Sequence, residues 1–207
     1  MMDRDSTVPL IFIQGITTLV ATEARIMTRS VVNPISTRLF LLEMLATFQL
    51  CTCFTVLHPM ADIEPKPQLY LAHLYSFMAL HFYLTLNENS SNPASTLVYI
   101  VRKGISMRLG LLKIVAQFIG AFLARLYQNF LWSFRVSGLF SDPVVCNSPL
   151  QTGLLKAFFT ELISSITFQL SMLESEMQEL RIRANVLSLA ITSLIYAGLL
   201  PSFFLDP

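Results

Sequence analysis

Charged residues are scarce in this sequence: they make up 13% of its 207 residues, about half the ~25% of an average soluble domain. Hydrophobic residues reach 54%, which excludes a disordered chain, because disorder requires low hydrophobicity. Fourteen basic and thirteen acidic residues leave a formal net charge of +1. Since no basic surplus is available to neutralise phosphates, we expect no nucleic-acid partner.

Cysteine is also rare, with three residues at Cys51, Cys53 and Cys146. This count excludes a small secreted scaffold held by disulfides, which carries many paired cysteines. Cys51 and Cys53 lie in an apolar run, where buried free thiols are the expected state. A metal or redox site at Cys51-x-Cys53 is the alternative interpretation.

Enzyme motifs are missing too. The sequence has no phosphate-binding Walker loop, no H-E-x-x-H zinc motif and no G-x-S-x-G nucleophile elbow. We therefore expect neither enzymatic activity nor a bound metal or cofactor. The competing class is a membrane-embedded hydrolase built from Glu43, Glu161 and the histidines.

Long apolar runs dominate what remains. A bilayer core of about 30 Å needs roughly 20 apolar residues per spanning helix. Lys113 and Arg125 lie close enough to the ends of one run to extend toward the membrane surfaces. A shorter run, Val8–Ala21, could be an additional helix, a signal-anchor or an interfacial segment. The segments that satisfy the length rule are Leu39–Leu57, Leu69–Leu86, Leu109–Trp132, Leu150–Leu173 and Ala184–Phe204. The sequence thus predicts an all-α, multi-pass integral membrane protein.

Basic residues alternate between dense and sparse in the connections between these runs. They are dense in 25–38 and 102–113 and moderately frequent in 174–183, and cytoplasmic loops collect Lys and Arg. These connections are therefore predicted to be cytoplasmic. For this alternation to hold, the stretch from Asn87 to Met107 must begin and end on the same side of the membrane.

That stretch contains the signals of a short helix. Asn92 is a strong N-cap residue, and Pro93 suits the first helical position because its missing N–H would have no partner there. Apolar and small residues then continue to Arg102, which gives roughly 12–15 Å of helix, about half a bilayer. The pattern predicts a re-entrant half-helix over 92–101, with a capped surface helix as the alternative. A second Asn-Pro pair, Asn33-Pro34, has no such apolar continuation and is interpreted as a loop.

The order of these features resembles the aquaporin (major intrinsic protein) family. Asn-Pro-Ala is the signature of that family, and Glu-x-x-x-Thr-Phe and Ala-Gln-x-x-Gly-Ala are typical of the helices on either side. Their counterparts are Asn92-Pro93-Ala94, Glu43-x-x-x-Thr47-Phe48, Ala116-Gln117-x-x-Gly120-Ala121 and, opening a second half, Glu161.

Further segments are similar to the divergent, intracellular superaquaporin branch of the aquaporin-11 kind. They are Ser90-Ser91-Asn92-Pro93, Leu154-Leu155-Lys156-Ala157 and Ile195-Tyr196-Ala197-Gly198. This resemblance implies residence in the endoplasmic reticulum or another intracellular membrane.

The resemblance implies an aquaporin-like right-handed helical bundle of inverted repeats in a single domain over 1–207. Residues 1–38 would form an N-terminal apolar segment and cytoplasmic linker, and 39–134 the first repeat with its half-helix at 92–101. Residues 150–207 would form a partial second repeat. We expect this repeat to be incomplete, because the sequence ends at Leu205-Asp206-Pro207, close to where a second Asn-Pro-Ala would fall.

The resemblance also implies residue roles. Asn92, Pro93 and Ala94 would line the pore and set selectivity. Glu43 and Glu161 would each clamp backbone N–H groups of a half-helix, with a proton-relay or catalytic carboxylate as the alternative. Gln117 and Gly120 would pack helices, although Gln117 could also line the pore.

The implied function is a channel for passive permeation of water and of small neutral solutes such as glycerol and hydrogen peroxide. Its partners would be these solutes, the lipid bilayer and three further copies in a homotetramer, with no cofactor. The alternative is a non-conducting, truncated protein of this ancestry with a structural or partner-regulating role in an intracellular membrane. Residues 1–207 alone are expected to conduct poorly, because one half-helix lines only one wall of a pore.

Overall fold

The computed structural model describes residues 7–63, 67–133 and 153–204, and every regular element in these ranges is helical. The all-α prediction is confirmed. Cys146 and Leu150 lie outside the described residues. The helices are α1 (Thr7–Val31), α2 (Ile35–Ile63), α3 (Pro67–Thr85), α4 (Pro93–Val101), α5 (Met107–Ser133), α6 (Leu154–Glu174) and α7 (Leu180–Phe204).

Among the described residues, four helices are long and apolar enough to cross a membrane. They contain the stretches Val8–Val31, Ile35–Leu57, Met107–Ser133 and Leu180–Ala197. Helices α3 and α6 contain most of the described residues of two further predicted spans, Leu69–Leu86 and Leu150–Leu173. This helix content is that of a multi-pass membrane protein.

Helix α1 agrees with one of the alternatives for Val8–Ala21, an additional helix, but it is longer than that run. The run Val8–Ala21 is short for a span, but the helix extends from Thr7 to Val31, 25 residues in all. Its polar residues Glu23 and Arg25 do not end it, because Glu and Arg are good helix formers. Arg25 is 1% exposed, so this charge lies inside the protein and not in a flanking loop.

The chain divides into two compact units. The first contains α1, α2, α4 and α5, and the second contains most of α3 together with α6 and α7. In the second unit α6 packs against α7. The Tyr75 hydroxyl lies 2.7 Å from Asn185 Oδ1, and the rings of Phe82 and Phe168 stack with centroids 6.3 Å apart.

In the first unit, α2 is the central helix and packs against both α1 and α5. The contact with α5 is very close at Gly120. A Cβ atom added there would lie 2.5 Å from the backbone oxygen of Met44 and 3.2 Å from the backbone nitrogen of Phe48. Only glycine therefore permits this spacing of the two helices.

Gly120→Ala is expected to destabilise the protein by roughly 1–3 kcal/mol, because the added methyl forces α2 and α5 apart. This loss should appear although alanine is the better helix former by about 1 kcal/mol. Thermal unfolding of the purified protein in detergent measures it.

Gly15→Ala is the matched control, since Gly15 is also a helical glycine but has nothing within 4 Å of an added Cβ atom. It should be neutral or slightly stabilising. Equal melting temperatures for the two variants would show that the close approach at Gly120 does not constrain the fold.

Candidate functional site

The short helix α4 begins at a capped asparagine. Asn92 has extended backbone angles, φ −144° and ψ 122°, and its Oδ1 accepts a hydrogen bond of 2.9 Å from the backbone N–H of Ala94. Pro93 occupies the first turn, where it lacks only an N–H that would have no helical partner. The cap and the helix lie where the sequence predicts them; entry into a membrane from one side remains a prediction.

The side-chain amide nitrogen of Asn92 takes no part in the helix cap. Its Oδ1 is engaged, whereas its Nδ2 has no acceptor in the described part of the chain, and the residue is half-buried. The N-terminal end of a helix also carries a partial positive charge. Asn92 thus presents a hydrogen-bond donor at an electropositive position.

The backbone before the cap is held by Glu43. This residue has no exposed surface, and its Oε1 accepts hydrogen bonds from the N–H groups of Ser91 at 2.7 Å and Ser90 at 3.1 Å. Ser91 has φ +50°, a left-handed conformation that is unfavourable for a residue with a side chain. The carboxylate therefore stabilises a turn that the chain does not prefer by itself.

This arrangement refines the sequence prediction for Glu43. The resemblance implies an acceptor for amides of the half-helix, whereas the structure places it on the two residues that precede the cap. The first free amide of the helix, that of Ala94, is bound by Asn92 instead.

Gln117 connects this carboxylate to α4. The two N–H groups of its Nε2 are shared among three acceptors, Glu43 Oε1 at 2.7 Å, Thr96 Oγ1 at 2.9 Å and Ser90 Oγ at 3.1 Å. The Thr96 and Ser90 hydroxyls lie 2.7 Å apart. Helices α2, α4 and α5 thus meet in one buried polar cluster, which we call the Glu43 cluster (Glu43, Ser90, Ser91, Thr96 and Gln117). The roles of Ser90, Ser91 and Thr96 were missed by sequence reasoning.

Lys113 differs from its sequence prediction. It does not extend along the apolar surface but turns inward, with 14% of its side chain exposed. Its Nζ lies 3.1 Å from Glu43 Oε2 and donates to the Glu88 carbonyl at 2.8 Å. The signal that could have revealed this is spacing, because Lys113 and Gln117 are one turn apart on α5 and so share a face.

Glu161 does not have comparable surroundings. It lies exposed on α6 and makes no hydrogen bond or ion pair with any residue that the structure describes. The structure therefore brings together Glu43, Asn92, Pro93, Ala94 and Gln117 in the first unit. A clamping role for Glu161 remains a prediction.

The two described cysteines are free thiols. The buried Cys53 faces α1, with its Sγ 3.7 Å from Thr18 Oγ1, whereas Cys51 is half-buried. Within the described ranges, no group of three or more His, Cys, Asp or Glu residues could hold a metal ion.

Similarity to known proteins assigns the chain to a family. Residues 68–204 match the family model described as "Major intrinsic protein", which is more than half of the chain. The chain belongs to the major intrinsic protein family. The resemblance read from the motifs is thereby confirmed, together with the all-helical membrane fold.

Relatives of this major intrinsic protein include aquaporins of two kinds. Aquaporin-11 of Homo sapiens is 31% identical over 177 residues, covering 84% of this chain and 65% of the relative. Aquaporin-11 of Rattus norvegicus is 30% identical over the same shares. Aquaporin-12 of Mus musculus is 27% identical over 169 residues, covering 77% of this chain and 58% of the relative.

The chain spans slightly less than two thirds of the length of the aquaporin-11 relatives it matches, 65% in the human protein. No solved structure matches the chain.

Thr96→Val is expected to lower stability by about 1–3 kcal/mol. Valine has the same shape, but it leaves Gln117 Nε2 and Ser90 Oγ with one partner fewer in a buried site. Thermal unfolding in detergent checks the effect.

Thr55→Val is the control, because the Thr55 hydroxyl donates only to a carbonyl of its own helix, Cys51 O at 2.7 Å. This variant should lose less than half as much. If the two losses are equal, the hydroxyl of Thr96 is not a structural member of the Glu43 cluster.

Proposed function

We propose that the protein is a membrane channel of the aquaporin type, which lets water and small neutral solutes such as glycerol and hydrogen peroxide pass down their gradients. Family membership supports a channel, and the curated relatives carry the name aquaporin. The observation that carries the proposal is the free Nδ2 of Asn92 at the capped N-terminal end of α4.

The chemistry of this end suits an uncharged solute with an oxygen acceptor. The Nδ2 of Asn92 donates to the oxygen of a passing water, while the partial positive charge at the helix end repels cations. A water molecule whose oxygen lone pairs are both engaged cannot accept a proton from its neighbour. The same donor suits glycerol and hydrogen peroxide, because their oxygens are also neutral acceptors.

The surroundings of Asn92 support a fixed donor. The cap fixes Oδ1, and Glu43 holds the two preceding residues through partly buried hydrogen bonds. A donor that is already oriented costs no reorganisation when each solute passes. Pro93 and Ala94 complete the first turn, where Pro93 leaves no competing backbone donor.

Three further features belong to the proposal. Glu161 would act on a second half-helix as Glu43 acts on the residues before α4. The protein would assemble as a homotetramer in the bilayer, and it would reside in the endoplasmic reticulum or another intracellular membrane. These features follow from the resemblance that the sequence motifs carry.

Asn92→Asp in the full-length protein is expected to reduce water flux about fivefold, because one hydrogen bond of about 1 kcal/mol to the solute is lost. The aspartate keeps an acceptor for the N–H of Ala94, so the helix cap should survive. Its negative charge should also admit a cation leak that the wild type lacks. Swelling of proteoliposomes after an osmotic step measures water flux, and a membrane-potential dye measures the leak.

Asn33→Asp is the matched control, since Asn33 also precedes a proline but lies exposed in the loop between α1 and α2. Its flux should equal that of the wild type. Full-length wild-type protein that is folded in the vesicles but gives no flux above empty vesicles would contradict the channel proposal. Such a result would favour a non-conducting, structural or partner-regulating role.

A further inference from the structure

The ion pair between Lys113 and Glu43 is unusual for its position. It joins two helices that both contain candidate membrane spans, and the two side chains are 14% and 0% exposed. A buried ion pair is a weak source of net stability, but removing one partner is strongly destabilising because it leaves an uncompensated charge. Lys113 is therefore unlike the exposed cations of the same chain.

The two carboxylate oxygens of Glu43 face largely different partners. Oε1 accepts from Ser91, Ser90 and Gln117, whereas Oε2 faces the Lys113 ammonium at 3.1 Å and shares the Ser90 N–H at the longer distance of 3.4 Å. The ammonium thus supplies the counter-charge and fixes the plane of the carboxylate. With that plane fixed, Oε1 points at the residues that lead to Asn92.

Lys113 also holds the start of the same loop. Its Nζ donates to the Glu88 carbonyl at 2.8 Å, while the Glu88 carboxylate pairs with Arg29 at 2.9 Å on the surface. One ammonium therefore bonds the loop directly at residue 88 and, through Glu43, at residues 90 and 91.

We propose that Lys113 is a positioning residue for Asn92, because its ammonium is the counter-charge of Glu43 and an anchor of the loop 88–91. Only the last step of this inference, from loop order to flux, rests on the proposed function. Lys113 is not part of the family motifs, because it precedes Ala116-Gln117-x-x-Gly120-Ala121.

Lys113→Met tests the proposal, because methionine keeps an apolar stem but carries no charge. Hydrogen exchange of a peptide that contains Ser90 and Ser91 should become roughly tenfold or more faster, since their N–H groups lose a fixed acceptor. The melting temperature in detergent should fall by roughly 10 °C. Water flux per folded molecule should fall as well, which a role in stability alone would not produce.

Two further variants make the result decisive. Arg29→Gln is the control, because it removes an ion pair to the same Glu88. The Arg29 and Glu88 side chains are 41% and 37% exposed, so hydrogen exchange, melting temperature and water flux should change little. The double variant Glu43→Gln, Lys113→Met removes both charges together and should recover at least half of the melting loss, because no unpaired charge stays buried.

Unchanged exchange at Ser90 and Ser91 in Lys113→Met would overturn the inference. A double variant that melts no higher than Lys113→Met, or that fails to fold when Lys113→Met also fails, would overturn it too. Exchange and melting do not depend on transport. If hydrogen exchange and melting change as expected but the wild-type protein gives no flux, the proposed function is refuted and the inference about the loop stands.

Discussion

The buried carboxylate of Glu43 joins three parts of the chain that are distant in sequence. It accepts backbone hydrogen bonds from residues 47 and 48 positions away and a side-chain hydrogen bond from Gln117, 74 positions away. An isolated carboxylate at membrane depth would cost roughly 3 kcal/mol even on the lenient insertion scale. The donors around Glu43 offset that cost, and the same donors fix the turn at Ser91, whose positive φ is unfavourable by itself. The position of Asn92 thus depends on a charge that the fold must bury.

The close packing of α2 and α5 makes this interaction possible. Gly120 lies against Met44 and Thr47, and Gln117 and Lys113 lie one and two turns earlier on α5, where they reach Glu43. The two helices therefore run in the same direction along this contact. A side chain at position 120 would widen the gap and lengthen the contacts that Gln117 and Lys113 of α5 make with the carboxylate. Gly120 has no functional group, yet it sets the distances from Gln117 and Lys113 to Glu43.

Local signals explain which parts of the fold and site could be predicted from the sequence. The N-cap at Asn92 and the helix after it are encoded within about ten residues, so the pattern predicts α4 correctly. The long helices follow from apolar length. The apolar run alone underestimates helix α1, because Arg25 is charged and predicts a flanking residue, whereas the fold buries it. Lys113 differs from its prediction for a related reason: a position near a helix end predicts a cation that extends to the membrane surface, but the rotation of α5 decides where the side chain points.

The partners of Glu43 were predictable only in kind. The resemblance indicates an acceptor for backbone N–H groups, but which amides it meets depends on how α2, α5 and the loop pack, and one sequence does not contain that information. Glu43 and Glu161 illustrate the point, because they open equivalent motifs and yet differ completely in surroundings. A glutamate in an apolar run is an acceptor only where the chain supplies donors. For Glu43 those donors are two serine amides, one serine hydroxyl, one glutamine and one lysine, and their geometry makes the turn before Asn92 a structured part of the site.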